Sequence, residues 1–138
     1  MPAKDLFHDA VRHALEKDGW TITHDPLQLK LAGPQMSVDL GAERVMAAVK
    51  GLELIAVEIK SFAALSLVYE FYTALGQFLS YKVGLEEQEP ARVLYLAVPE
   101  EAFDNFFRLP FAQKMIERYE LRLIVYEPQQ EVLLKWIS

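Results

Sequence analysis

The chain has 138 residues, 52% of them hydrophobic and 25% charged, with a net charge of −6, a size and balance expected of a single domain, 1–138, with one core. It has no cysteine, and its three histidines (His8, His13, His24) are scattered, which excludes disulfides, thiolate zinc clusters and a cysteine nucleophile and leaves mainly oxygen ligands for any metal. Apolar runs such as "LYLAVP" and "LIVY" fall far short of the roughly 18 residues of a membrane span, and "MPAKDLFHDA" lacks the apolar core of a signal peptide, so no membrane association and a cytoplasmic location are expected.

Apolar residues at Leu6, Phe7, Ala10, Val11, Ala14 and Leu15 recur with the period of an amphipathic helix over 3–18, ended by Gly19. "WTITH", the Asp25-Pro26 turn and "LQLKL" then read as a hairpin or two short strands before the Gly33-Pro34 break. "MSVDLG", "RVMAAVK" and "LELIAVEIK" follow as a meander with a tight turn at Gly51. Ser66 to Gln88 has helical spacing, with Ser66 as N-cap, and is apolar over most of its circumference, so it is expected to be largely buried. "ARVLYLAV" reads as a strand buried on both faces. Pro99 and Pro110 open two short helices, and "LRLIVYE" and "EVLLKWI" form a terminal hairpin. Helix and strand alternate throughout, so the economical packing is an α/β fold with a central mixed sheet flanked by helices.

The acidity is local: between Glu86 and Asp104 six acids stand against Arg92 alone. A net negative chain is a poor free-standing nucleic-acid binder, because neutralising phosphates calls for a basic excess.

The polar residues inside the apolar strands carry the chemistry. In "LIAVEIK" alternation points Ile55, Val57 and Ile59 one way and Ala56, Glu58 and Lys60 the other. The turn near Gly51 brings the preceding chain back antiparallel, so Asp39, ending "MSVD", could reach Glu58. Two carboxylates and an ammonium at close quarters suit a hard divalent cation such as Mg²⁺, which takes one or two carboxylates and completes its shell with water and phosphate oxygens. That is the chemistry of phosphodiester hydrolysis. Gln77 and Tyr81, at i and i+4, lie on a helical stripe beside the main apolar face. Plainer readings stand beside these. Glu58 and Lys60 could be a solvated cross-strand pair, Asp39 a turn aspartate, Gln77 and Tyr81 core-edge packing, His8 a surface or core-edge histidine, and His24 a turn residue.

Asp39 followed by Glu58-Ile59-Lys60 on the next hairpin strand, in the order αβββαβ, resembles the PD-(D/E)XK restriction-endonuclease-like superfamily, although Val38 stands at the motif's proline position. "QFLSY", Gln77 to Tyr81, is similar to the Gln-x-x-x-Tyr motif of its RecB-like branch. The whole chain resembles the XisH family, the fdxN element excision controlling factors of cyanobacteria. The match runs through "DLFHDAV", "DGWTITHDPL", "DLGAER", "AVEIKSF", "TALGQFLSY", "EEQEPARVLYLAVPE" and "LIVYEPQQEVLLKWI". The resemblance implies a restriction-endonuclease-like fold and a role in controlling excision of a DNA element during cell differentiation. It also implies action alongside a site-specific recombinase and a small XisI-like partner that could supply DNA contacts, and a homo-oligomer is possible. On this reading Asp39 and Glu58 hold Mg²⁺ or Mn²⁺, Lys60 orients water or stabilises charge, and Gln77 and Tyr81 approach substrate. The competing reading is a catalytically inactive regulatory subunit that keeps the fold. A phosphate-binding cleft is further expected to lie away from the acids of Glu86 to Asp104.

Overall fold

A computed structural model describes residues 7–29, 45–63 and 65–138. Helix α1 (His8–Lys17) buries Ala10, Val11, Ala14 and Leu15 on one stripe. It stops at Gly19, whose φ of 94° is the left-handed conformation glycine adopts without steric cost. There the Trp20 amide donates to the Leu15 carbonyl and the Gly19 amide to that of Glu16, which occupies the last helical acceptors.

Strands β1 (Thr21–His24), β2 (Val45–Lys50) and β3 (Glu53–Ile59) are antiparallel neighbours, with Gly51 at φ 60° in the two-residue turn between Lys50 and Glu53. Helix α2 (Leu67–Gln88) crosses over to β4 (Val93–Pro99), which runs parallel to β3. A short α-helix, α3 (Glu100–Ala102), passes into a π-helical turn, Phe103–Phe107, followed by α4 (Pro110–Arg118). Strand β5 (Leu123–Glu127) is parallel to β4, and β6 (Val132–Ile137) returns antiparallel along the edge. Among the described residues six strands lie in chain order in one mixed sheet, the central sheet flanked by helices that the sequence predicts.

Each face of the sheet has its own core. On one, Ala47, Ala56, Leu94, Leu96 and Val98 pack against Phe71, Phe78, Tyr81 and Leu85 of α2 and against Phe103, Phe106 and Phe107. On the other, Met46, Ala48, Ile55, Val57 and Ile59 pack against Val11 and Leu15 of α1 and against Tyr126. Burying side chains as large as Phe71 and Phe78 contributes about 1.5–3 kcal/mol each.

Three sequence expectations need correction. Leu27 to Leu29 of "LQLKL" form no strand. Leu27 and Leu29 are buried in the α2-side core, and the Gln28 carbonyl accepts from Gln88 Nε2 at 3.0 Å, so the alternation reflects packing against the helix and not sheet pairing. Pro99 ends β4 and caps α3, whereas Pro110 does open its helix. Finally, α2 is not largely buried. Ser66 caps it as expected, accepting from the Tyr69 amide at 3.2 Å, but Tyr69, Tyr72 and Val83 lie exposed on its outer side. A helix lying on one sheet can bury only the stripe that faces the sheet. "MSVDLG" and Asp39 lie outside the described residues.

Candidate functional site

Glu58 is the next-to-last residue of β3, between Val45 of β2 and Leu96 of β4 in the register. Alternation puts it on the face of Ala56, the α2 side, while Val57 and Ile59 enter the α1-side core. It is 0% exposed. Lys60 follows the strand, with its amide donating to the Ala97 carbonyl at 3.1 Å and its own carbonyl accepting from Tyr126 Oη at 3.2 Å. Anchored in this way, its ammonium is also nearly buried and stands 3.8 Å from Glu58 Oε2. The two are therefore not the solvated cross-strand pair of the plainer reading.

A carboxylate and an ammonium withdrawn from water each forfeit several kcal/mol of hydration, and their mutual attraction restores this only with good geometry. A buried pair on a sheet face that otherwise buries Ala47, Ala56, Leu94, Leu96 and Val98 is a costly arrangement for stability alone. Tyr81 is buried in the same α2-side core. One turn earlier, Gln77 has its side-chain oxygen buried and, among the described residues, without a hydrogen-bond partner. Helix α2 thus brings both motif residues to the face of the sheet that carries Glu58.

The chain leaves this site through strained backbone. Phe62 has a φ of 52°, a left-handed conformation uncommon for an aromatic residue. Its ring is held edge-on against Phe107 at 5.3 Å. Such outliers persist where surrounding packing over-determines them, and they concentrate at functional sites.

The chemistry of the donors fits Mg²⁺ or Mn²⁺ as far as Glu58 goes, since a carboxylate offers the hard oxygens these ions take. No group of three or more His, Cys, Asp or Glu placed to hold a metal occurs among the described residues. A metal here would rest on one or two carboxylates and take its remaining ligands from water and phosphate, the usual manner for Mg²⁺.

The acidic segment does not stay together. Glu86, Glu87 and Glu89 lie at the C-terminal end of α2, but Glu100, Glu101 and Asp104 follow the end of β4. Because β3 and β4 are parallel, with Ile59 opposite Ala97, both strands finish at the same end of the sheet. The three acids accordingly line an open cavity of about 830 Å³ with Ser61, Phe62 and Glu127, immediately beyond Lys60. The expectation that the whole segment lies away from the site is wrong for this half.

Two buried polar groups escaped the sequence reading. His8 is buried, and its Nε2 lies 2.8 Å from Asp25 Oδ2, which also accepts from Arg12 at 2.7 Å. Burial pushes the Asp25 carboxyl up, but the hydrogen bonds and charges of His8 and Arg12 outweigh it and hold the group below its ordinary value. Arg92 is nearly buried. It donates to the Ile55 carbonyl at 2.9 Å and, through Nε and Nη2, to Glu89 Oε1 at 3.1 and 3.0 Å. The available signal was a lone arginine leading an apolar strand out of an acidic run.

Fold and site together define a mixed-sheet α/β protein with a buried carboxylate–ammonium pair at the end of a central strand, beneath a long crossover helix. The chain belongs to the XisH family: residues 1–134 match the family described as XisH protein. It is similar to the crystal structure of an XisH family protein from Nostoc punctiforme PCC 73102, at 44% identity and a TM-score of 0.88, covering 97% of this chain and 100% of that one. It is also similar to that of a fdxN element excision controlling factor protein from Anabaena variabilis, at 43% identity and a TM-score of 0.87, covering 96% and 98%. No curated protein matches the chain significantly. None of its described helices is long and apolar enough to cross a membrane.

Proposed function

We propose that this protein controls excision of a DNA element, as a metal-dependent endonuclease-like protein of the PD-(D/E)XK type acting with a small XisI-like partner and a site-specific recombinase. The observation that carries the reading is the complete burial of Glu58 beside the nearly buried Lys60. A buried ion pair is an expensive way to stabilise a sheet, and it is explained if the carboxylate serves a ligand. Glu58, with Asp39, would hold Mg²⁺ or Mn²⁺, which when bound supplies charge neutralisation at a phosphoryl group and acidifies a water. Lys60 stabilises charge developing on the phosphate oxygens or orients that water. Hydrolysis joins the water oxygen to phosphorus and breaks one P–O ester bond, so one product keeps the phosphate and the other leaves as the alcohol with a proton. Gln77 and Tyr81 take substrate-side positions on α2.

A second reading, a non-enzymatic regulatory subunit, is favoured by Glu100, Glu101 and Asp104 at the same end of the sheet. Their field repels a phosphate backbone over about 8–10 Å, and it suits a basic protein partner. A nuclease assay on varied DNA substrates with Mg²⁺ or Mn²⁺, with and without the partner, separates the two. Cleavage abolished by Glu58→Gln supports the first, and no cleavage in either arm supports the second.

A further inference from the structure

We propose that the outward face of α2 is a contact between two copies of this chain, packed antiparallel about a two-fold axis at Gly76. The helix turns Phe71, Ala74, Phe78, Tyr81 and Leu85 toward the sheet, which centres its opposite face on Gly76. Tyr69, Tyr72 and Val83, at i−7, i−4 and i+7 from that glycine, are 73%, 55% and 56% exposed. Between Glu70 and Lys82 the helix carries no charge. Glycine in an exposed helix interior costs about 1 kcal/mol relative to alanine. A Cβ at position 76 would meet nothing within 4 Å, so nothing this chain packs there calls for glycine. A second helix backbone crossing at that point does, because the separation of packed helices is set by the side chains at their contact.

Spacing and charge select the occupant and its direction. In an antiparallel pair centred on Gly76, the residue k places before it meets the residue k places after it in the other copy. Tyr69 then covers Val83, and Tyr72 covers Ser80, so each ring lies on a smaller side chain. The contact is self-complementary, as a two-fold interface must be. The last turn of α2 carries Glu86 and Glu87 and no base, an unfavourable placement at the negative end of the helix's own dipole. Antiparallel packing sets these acids beside the N-terminal turn of the second copy, the positive end of its dipole, where Ser66 is the cap and Glu70 the one charged side chain, whereas parallel packing would set Glu86 and Glu87 against their own counterparts. Neither Glu58 nor Lys60 takes part, so this contact stands or falls separately from the nuclease reading.

Sedimentation equilibrium of the full chain, from nanomolar to millimolar concentration, tests it with Gly76→Leu and Glu87→Lys as variants. A reversible dimer is expected. Gly76→Leu should weaken association by about tenfold or more while raising the melting temperature of the dilute monomer, since it improves helix propensity and its Cβ meets no neighbour. Glu87→Lys should weaken association in a manner that fades with added salt. A wild-type chain monomeric at every concentration would overturn the proposal and leave the face to a different protein. So would a dimer that Gly76→Leu leaves unchanged or tightens.

Discussion

Arg92 and Glu58 are both charged, both withdrawn from water and both placed on the central strands, yet their surroundings differ. Arg92 enters β4 with its guanidinium committed to the Ile55 carbonyl and to Glu89 at 2.9–3.1 Å. It ties β3, β4 and the end of α2 together, and its desolvation is offset by short charge-assisted bonds. Glu58 sits at the other end of β3, where its ion pair with Lys60 spans 3.8 Å. A guanidinium whose bonds join three elements is part of the architecture, while a carboxylate buried at the strand end beyond which Ser61 and Glu100 line a cavity is a candidate for chemistry.

The largest expected effect lies at Arg92. Arg92→Met should destabilise the fold by about 3 kcal/mol, because it leaves the Ile55 carbonyl and Glu89 without their donor. Urea unfolding with and without Mg²⁺ should show the same loss in both, and a loss below about 1 kcal/mol would mean the arginine is not the tie described. Glu58→Gln should do the opposite. With Asp39 as the second ligand the two carboxylates repel each other without their cation, which offsets the counter-charge Lys60 loses, so stability without metal should stay level or rise slightly, while the stabilisation by Mg²⁺ or Mn²⁺, about 2.7 kcal/mol at a hundredfold excess over the dissociation constant, should vanish. If Glu58 were architectural as Arg92 is, the variant would instead lose about 3–5 kcal/mol with no metal response in either protein. Thermal melts across a metal titration distinguish these outcomes.

The His8–Asp25–Arg12 cluster sharpens the comparison, since it is a second partnered charge on the α1 side. Asp25 has a lowered pKa in the folded protein, so the unfolded chain binds more protons as the carboxyl titrates. Its contribution is complete above the ordinary value of 3.8 and is lost as pH falls through the lower folded value. Asp25→Asn should cost about 1.5 kcal/mol at neutral pH and flatten the acid limb of a stability–pH curve. An acid limb of unchanged slope would show that other carboxylates dominate it. The smallest effect is expected at Glu120, which closes α4 with a φ of 53° while the Leu121 amide donates to the Ile116 carbonyl. Glu120→Gly should change stability by less than about 0.5 kcal/mol, since the relief of left-handed strain is offset by the entropy glycine gains on unfolding and by loss of the exposed ion pair to Lys82. Its metal response should match that of wild type, which makes it a control for Glu58→Gln.

Features dictated by local chemistry are legible in the residues alone. Alternation in "LIAVEIK" assigned Glu58 and Lys60 to one face, because side chains on a strand have a period of two. Ser66 and Gly19 marked helix ends, because a hydroxyl cap and a left-handed residue answer the backbone groups that a helix leaves open. What covers each face, and which distant residues meet, depends on long-range packing that no local pattern carries. Periodicity announced the apolar circumference of α2, but the sheet reaches only one side of it, so Tyr69 and Tyr72 face outward. His8 and Asp25 are 17 residues apart and meet through the packing of α1 against β1. The acids at 86–104 read as one block, yet a strand rise of about 3.3 Å per residue carries Glu100 to the far end of β4 from Glu89. The parallel register of β3 and β4 then sets it beside Ser61, because the end of the sheet a residue occupies follows from strand direction, which composition does not encode.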